Sequence, residues 1–185
     1  SFGTMLRNSP KRAEAFLAMP IVHKPGTEFL YDNGAPDMLA IINKEFTHQS
    51  ISDYLRSRLF DPLEMGEVRV AKNGDQDELP TYCMTTRALY NFTQFFRNGG
   101  KWNGVQLLDE KLVDLATSYQ VPACPNTYKT PSSHGTEGQQ GYGFYFWKNS
   151  VGGWRLSGGC GQLGVVIPEW DMTFVCNSND DDHQI

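Results

Sequence analysis

Four short runs of aromatic and β-branched residues, separated by tight polar turns, occupy the end of the sequence. They are GYGFYFWKN, GWRLSGG, GQLGVVIP and DMTFVCNS. Runs of this length and composition predict an antiparallel meander of three to four strands over residues 142–185. A sheet this small needs helices or further strands against one face, so the rest of the chain must supply that cover.

Five helical patterns precede the strands. Apolar residues recur at helical spacing in NSPKRAEAFLAM, APDMLAIINKEF, QSISDYLRSRLFDPLEM, TTRALYNFTQFFRNGG and LDEKLVDLATSY, where Ser9, Ser50, Thr85 or Thr86, and Asp109 are candidate N-caps. Helices first and an antiparallel sheet second predict an α+β fold. We expect a mainly helical subdomain over residues 1–141, with a long loop at 120–141, and a strand subdomain over 142–185. Together they form part of one domain.

Composition excludes several classes of partner. A net charge of −5 and a pI near 5.3, with no block of Lys or Arg, argue against a nucleic-acid or anionic membrane partner. The longest apolar runs are far shorter than the roughly 18 residues that a membrane-spanning helix needs. We therefore predict no membrane segment.

Common catalytic and cofactor signatures are missing. Around Ser157 the chain reads RLSGG, with Arg155 where a nucleophile elbow needs glycine. The Lys-Thr-Pro at 129–131 imitates a Lys-Thr-Gly motif but has proline in place of the glycine. The histidines are scattered and the four cysteines form no Cys-x-x-Cys, so we expect neither a metal nor a cofactor. The cysteines suit buried thiols in a reducing compartment.

Tyr31, Asp32, Asn33 and Gly34 form the turn that begins the second helix, after a brief extended stretch expected at TEFLY. A tyrosine in front of a helix is more often a packing residue whose hydroxyl binds a carbonyl than a functional group. The glycines of LSGG have two interpretations as well. They are either ordinary turn residues or residues that let a substrate backbone pass close to the strand.

Three blocks of the chain, taken together, carry a family resemblance. They are PGTEFLYDNGAPDMLAIINKEFTHQSISDYLRSRLFDPLEM, MTTRALYNFTQFFRNGGKWNGVQLL and QGYGFYFWKNSVGGWRLSGGCGQLGVVIPEWDMTFVCNSN. They resemble the serine β-lactamase and penicillin-binding protein (D-alanyl-D-alanine carboxypeptidase) superfamily, in particular the class C β-lactamase-like hydrolases and esterases. The resemblance covers nearly the whole chain in the family's order.

The resemblance implies roles for individual residues. Tyr31-Asp32-Asn33 is similar to the family's Tyr-x-Asn motif, which implies that Tyr31 exchanges a proton with a nucleophilic serine and that Asn33 binds lysine or substrate. Ser157 and Gly158 are similar to the last two residues of Lys-Thr-Gly, and the N–H of Gly159 is then half of an oxyanion hole. Leu156 departs from the pattern, because the family has Lys or His there to bind a substrate carboxylate.

The family's Ser-x-x-Lys motif is not in this sequence, since no lysine has a serine three residues before it. The resemblance thus implies a central and C-terminal portion of a serine hydrolase, incomplete relative to the family fold and inactive alone. Its substrate would be a small molecule or peptide with an amide, lactam or ester. The cysteines favour a cytoplasmic chain, with an extracytoplasmic location open for the parent protein.

Two other functions remain open: a non-catalytic peptide- or peptidoglycan-binding relative, and a structural or interaction module. We also expect the sheet to expose an edge or apolar face through which the chain could form a homo-oligomer.

Overall fold

The computed structural model describes residues 9, 11–27, 29–72, 78–122 and 135–179. The chain divides into two compact units, each described by itself below. The first unit is Ser1–Asp61 with Gly66–Met84, and the second is Pro62–Met65 with Thr85–Ile185. The predicted boundary near residue 141 concerns the subdomains of a family fold and stays a prediction.

The first unit contains three helices and a hairpin. The helices are α1 (Arg12–Leu17), α2 (Gly34–Thr47) and α3 (Ile51–Leu55), and α3 continues as a π-helix over Arg56–Phe60. Strands β1 (Arg69–Lys72) and β2 (Glu78–Cys83) pair antiparallel. The three helices were predicted and the hairpin was not.

Local capping explains where one of these helices, α3, begins. The Ser50 hydroxyl accepts a hydrogen bond from the N–H of Asp53 at 3.1 Å, as a capping residue should, so the predicted cap of α3 is confirmed. The predicted cap of α1 is wrong. Lys11 precedes the helix instead, and its N–H donates to the Ser9 hydroxyl at 3.2 Å.

The second unit begins with α4 (Thr86–Arg97), a short hairpin of β3 (Lys101–Trp102) and β4 (Val105–Gln106), and α5 (Glu110–Thr117). The predicted caps of both helices are confirmed. Thr85 accepts from the N–H of Ala88 at 3.1 Å and Asp109 from that of Lys111 at 2.8 Å. The unpredicted hairpin turns at Asn103-Gly104, both with positive φ, which is the usual tight turn for this pair.

A four-stranded antiparallel sheet completes the second unit, as the sequence predicted. Its strands, in the order β5-β6-β7-β8, are Trp147–Lys148, Trp154–Gly158, Gln162–Ile167 and Met172–Cys176. Helix α4 packs against β7 and β8. Phe146, Trp154 and Val166 form a buried cluster, completed by Phe96 of α4 and Leu156 of β6. This core holds β6 in place.

Most of the loop predicted at 120–141 lies outside the described residues. At its ends, Val121 forms a β-bridge with Tyr142, and Gly135–Gln139 forms a 3-10 helix that was not predicted. In the described part of the chain, every helix is too short or too polar to cross a membrane. TEFLY was expected to be extended, but its described residues form no strand.

Candidate functional site

Asp32 anchors the turn in front of α2. Its Oδ1 accepts a hydrogen bond from the N–H of Gly34 at 2.9 Å, and its Oδ2 accepts one from the N–H of Ala35 at 3.1 Å. The backbone of Asn33 is already helical, with φ −83° and ψ −9°. Asp32 therefore acts as the N-cap and Asn33 as the first helical residue, a difference within the usual uncertainty of helix boundaries.

This cap presents the two predicted catalytic residues on either side of it. Tyr31 is 38% exposed and Asn33 is exposed as well. The Asn33 side chain makes no capping hydrogen bond, because Asp32 performs that task. The phenol of Tyr31 and the amide of Asn33 thus flank the start of the helix, and the capping hydrogen bonds come from Asp32.

Ser157, Gly158 and Gly159 lie together where β6 ends. Ser157 pairs with Leu163 and Gly158 with Gln162 of β7. A Cβ atom added to Gly159 would meet no heavy atom within 4 Å, so its backbone is approachable. Strand β5 pairs with β6 only at Trp154 and Arg155. Within the described residues, the part of β6 after Arg155 therefore has a strand partner, β7, on one side only.

Leu156 faces the core of the second unit. Its side chain packs against the buried cluster, and its Cδ1 lies 3.3 Å from where a Cβ on Gly164 would be. Its apolar character therefore has a structural reason, since a lysine or histidine there would enter the core. The sequence could have suggested this, because Trp154 and Leu156 are two residues apart and share a face of the strand.

Arg155 does not replace the missing cation, as strand alternation predicted. Its side chain is buried, and its Nη1 donates to Lys148 O at 2.8 Å and to Asn149 Oδ1 at 3.1 Å. Nη1 also lies 3.5 Å from Oε2 of Glu137. Burial lowers the pKa of Arg155, and the charge of Glu137 opposes that shift.

The structure therefore assembles two separate groups of predicted residues. Tyr31 and Asn33 belong to the first unit, whereas Ser157, Gly158 and Gly159 belong to the second. Sequence reasoning missed the contribution of Asp32. An acidic residue two positions before a helical glycine is a known capping signal, so it could have been found.

A cleft of about 500 Å³ lies elsewhere in the second unit, between the end of α4, α5 and the start of the sheet. Lys148 lines it and donates from Nζ to Thr117 O at 2.9 Å, and burial lowers the pKa of this lysine. None of the predicted site residues lines the cleft. Among the described residues, no group of three or more His, Cys, Asp or Glu could hold a metal ion.

Comparison with known proteins identifies the family. The family model described as beta-lactamase matches residues 3–184. This chain belongs to the β-lactamase family. That membership agrees with the superfamily predicted from the motifs and makes the chain a member of a hydrolase-type family.

Solved structures support the fold of this β-lactamase-family chain. A Bacillus anthracis protein, described provisionally as a 6-aminohexanoate-dimer hydrolase, matches with a TM-score of 0.73 and 22% identity over 94% of this chain and 44% of its own. A Bacteroides dorei DSM 17855 protein, described provisionally as a β-lactamase, matches with a TM-score of 0.70 and 18% identity. This match covers 90% of this chain and 56% of the Bacteroides dorei protein. No curated protein matches the chain significantly. The chain spans about half the length of these two solved structures.

Proposed function

We propose that this chain is part of a serine hydrolase that acts by acyl transfer on an amide or an ester. The reaction begins when a serine attacks the carbonyl, which gives a tetrahedral oxyanion and then an acyl-enzyme that water hydrolyses. The sequence contains no Ser-x-x-Lys, so the nucleophile must come from outside these 185 residues. The chain alone would be inactive.

The observation that carries the proposal is the turn before α2. Tyr31 and Asn33 are both exposed, and the hydrogen bonds that cap the helix come from Asp32, so both side chains lie outside the cap. In the proposed reaction Tyr31 passes a proton between the serine and the leaving group. Asn33 hydrogen-bonds the catalytic lysine or the substrate amide.

The end of β6 supplies the second half of the proposal. Ser157 and Gly158 would bind the substrate along the strand, and the N–H of Gly159 would donate to the oxyanion. The open space beside the Cα of Gly159 supports this role, because a substrate that binds at the end of β6 must come close to this backbone. The description of one solved relative as a 6-aminohexanoate-dimer hydrolase supports an amide as one candidate substrate.

One observation favours a different function, a non-catalytic relative that binds a peptide or peptidoglycan. Leu156 replaces the cation of the family pattern and packs into the core, and Arg155 is engaged elsewhere. Such a protein would bind peptides saturably without any covalent labelling. A structural module would show neither behaviour.

The experiment is covalent labelling of the whole protein with a fluorophosphonate and with a fluorescent penicillin. We expect a label on a serine of a Ser-x-x-Lys motif encoded upstream of Ser1, and no label on the 185-residue chain alone. Tyr31→Phe should lower kcat/KM for an activated ester by roughly 10²- to 10⁴-fold, the usual contribution of a proton-transfer group.

Tyr119→Phe is the matched control, because Tyr119 is also exposed and loses only its hydroxyl. It should leave kcat/KM unchanged. A whole protein that neither reagent labels would rule out the hydrolase, and equal activity of wild type and Tyr31→Phe would rule out the role of Tyr31.

A further inference from the structure

Three donors converge on the carboxylate of Glu137. The N–H of Ser150 donates to Oε2 at 3.1 Å and the Ser150 hydroxyl donates to Oε1. Nη1 of Arg155 lies 3.5 Å from Oε2. A main-chain N–H, a hydroxyl and a guanidinium are the donors that proteins use to bind carboxylate anions. The arrangement has the form of a carboxylate site whose occupant comes from the same chain.

The guanidinium of this site is held independently of Glu137. Nη1 of Arg155 donates to Lys148 O and Asn149 Oδ1, and the guanidinium carbon lies 5.8 Å from the centre of the Trp147 ring. These partners are neutral, so they orient the guanidinium but leave its charge uncompensated. A buried charge without a counter-ion is unfavourable, so an anion beside Arg155 stabilises the fold.

The occupant is less firmly held than the site. The side chain of Glu137 is 43% exposed, whereas that of Arg155 is 8% exposed. Glu137 lies on the 3-10 helix Gly135–Gln139, which contacts β5, and hydrogen bonds in this type of helix have poorer geometry than those in an α-helix. Rotation of the half-exposed Glu137 side chain would free the donors of Ser150 and Arg155 without displacing the 3-10 helix or the strands.

We infer that Arg155 and Ser150 form a binding site for small carboxylates and that Glu137 is its intramolecular occupant. An external carboxylate makes the same contacts when Glu137 withdraws. Because Glu137 competes as an intramolecular ligand, an external carboxylate meets no such competitor where the Glu137 carboxylate has been removed.

The site has a place in the proposed reaction. Arg155 and Ser157 are two residues apart on the same face of β6, which corresponds to about 7 Å along the strand. Hydrolysis of an amide or ester releases a carboxylic acid, so the site would sense the acid product. This consequence rests on the proposed function, but the binding site itself does not.

The test is rescue of Glu137→Ala by sodium acetate. Removing the internal anion should lower Tm by about 2–4 °C, and acetate should restore it with saturation. Half of the effect is expected at on the order of 10 mM acetate, an affinity suited to a ligand of four heavy atoms. Sodium chloride at the same ionic strength should restore little. Because the readout is thermal unfolding, the result does not depend on catalysis.

Glu169→Ala is the matched control, since Glu169 is exposed and no partner of its carboxylate is found among the described residues. Its Tm should respond to acetate no more than that of wild type. In Glu137→Ala/Ser150→Ala the acetate affinity should fall several-fold, because one donor is lost while the Ser150 N–H remains. In Glu137→Ala/Arg155→Met the saturable effect should vanish.

If Arg155→Met prevents folding, the comparison of Glu137→Ala with Glu137→Ala/Ser150→Ala tests the inference by itself. Acetate that stabilises Glu137→Ala no more than wild type would overturn the inference. The same holds if Ser150→Ala leaves the acetate affinity of Glu137→Ala unchanged.

Discussion

The two units of this chain bury apolar side chains to very different extents. Of the fourteen buried hydrophobic residues in the described part of the chain, eleven belong to the second unit. Helix α2 of the first unit exposes Leu39, Ile42 and Phe46, which are spaced to lie on one face. Helix α4 of the second unit instead buries Phe95 and packs Phe96 into the sheet core.

This difference shows that the Tyr31 turn and the Ser157–Gly159 strand end are held in place by different interactions. The Ser157–Gly159 strand end belongs to a sheet with its own core, so packing and strand register hold it. The Tyr31 turn begins a helix that leaves an apolar face exposed, and Asp32 caps this helix by accepting hydrogen bonds from two of its N–H groups. Substitutions can test each half of this comparison.

The largest effect should come from truncating one phenylalanine in each unit. Phe95 is 1% exposed, so Phe95→Ala should lower the free energy of unfolding by about 3–5 kcal/mol through lost burial and a cavity. Phe46 is 83% exposed, and Phe46→Ala should change the free energy of unfolding by less than about 0.5 kcal/mol. Urea unfolding measures both, and similar losses would refute the comparison.

A pair of glycines tests the sheet. A Cβ on Gly164 would lie 2.6 Å from Oγ1 of the fully buried Thr93, so Gly164→Ala should cost about 1–3 kcal/mol. Gly159 has open space around it, and Gly159→Ala should cost less than about 0.5 kcal/mol. Thermal unfolding measures the stability of both variants. An equal loss of stability would mean that the contact with Thr93 does not restrict the side chain at position 164.

The cap before α2 should have a smaller effect. Asp32→Ala removes the acceptor of two helix N–H groups and should cost about 1 kcal/mol. Asn33→Ala is its control and should leave stability nearly unchanged, because the Asn33 side chain makes no capping bond. Circular dichroism during denaturation measures both, and the reverse order of losses would disprove capping by Asp32.

The smallest effect concerns self-association. Strand β8 pairs only with β7 in the described sheet, and its Phe174 is 49% exposed. We expect weak association of two copies through this strand, visible as a mass that rises with concentration in light scattering. Phe174→Lys should abolish the rise, whereas Phe144→Lys should not, since Phe144 lies outside the strands. A constant monomer mass at high concentration would contradict the proposal.

Much of the fold could be predicted because its signals are local. Helical spacing of apolar residues located the five α-helices of the described residues. The caps Ser50, Thr85 and Asp109 act through hydrogen bonds to backbone groups two or three residues away. Alternating aromatic and β-branched runs located the four-stranded meander. The β3–β4 hairpin was missed although Asn103-Gly104 marks its turn, because each strand is only two residues long.

The sequence by itself determined the five α-helices of the described residues, the four-stranded meander and the family. It also predicts Tyr31, Asn33, Ser157, Gly158 and Gly159 as site residues. Tertiary structure alone decided that Leu156 faces the core and that Arg155 is engaged by Glu137, 18 residues earlier in the chain. Caps and periodicity act between neighbours along the chain, so sequence carries them directly. The environment of Leu156 and the Glu137–Arg155 contact depend on which strands and turns pack together, and no spacing rule encodes such long-range contacts.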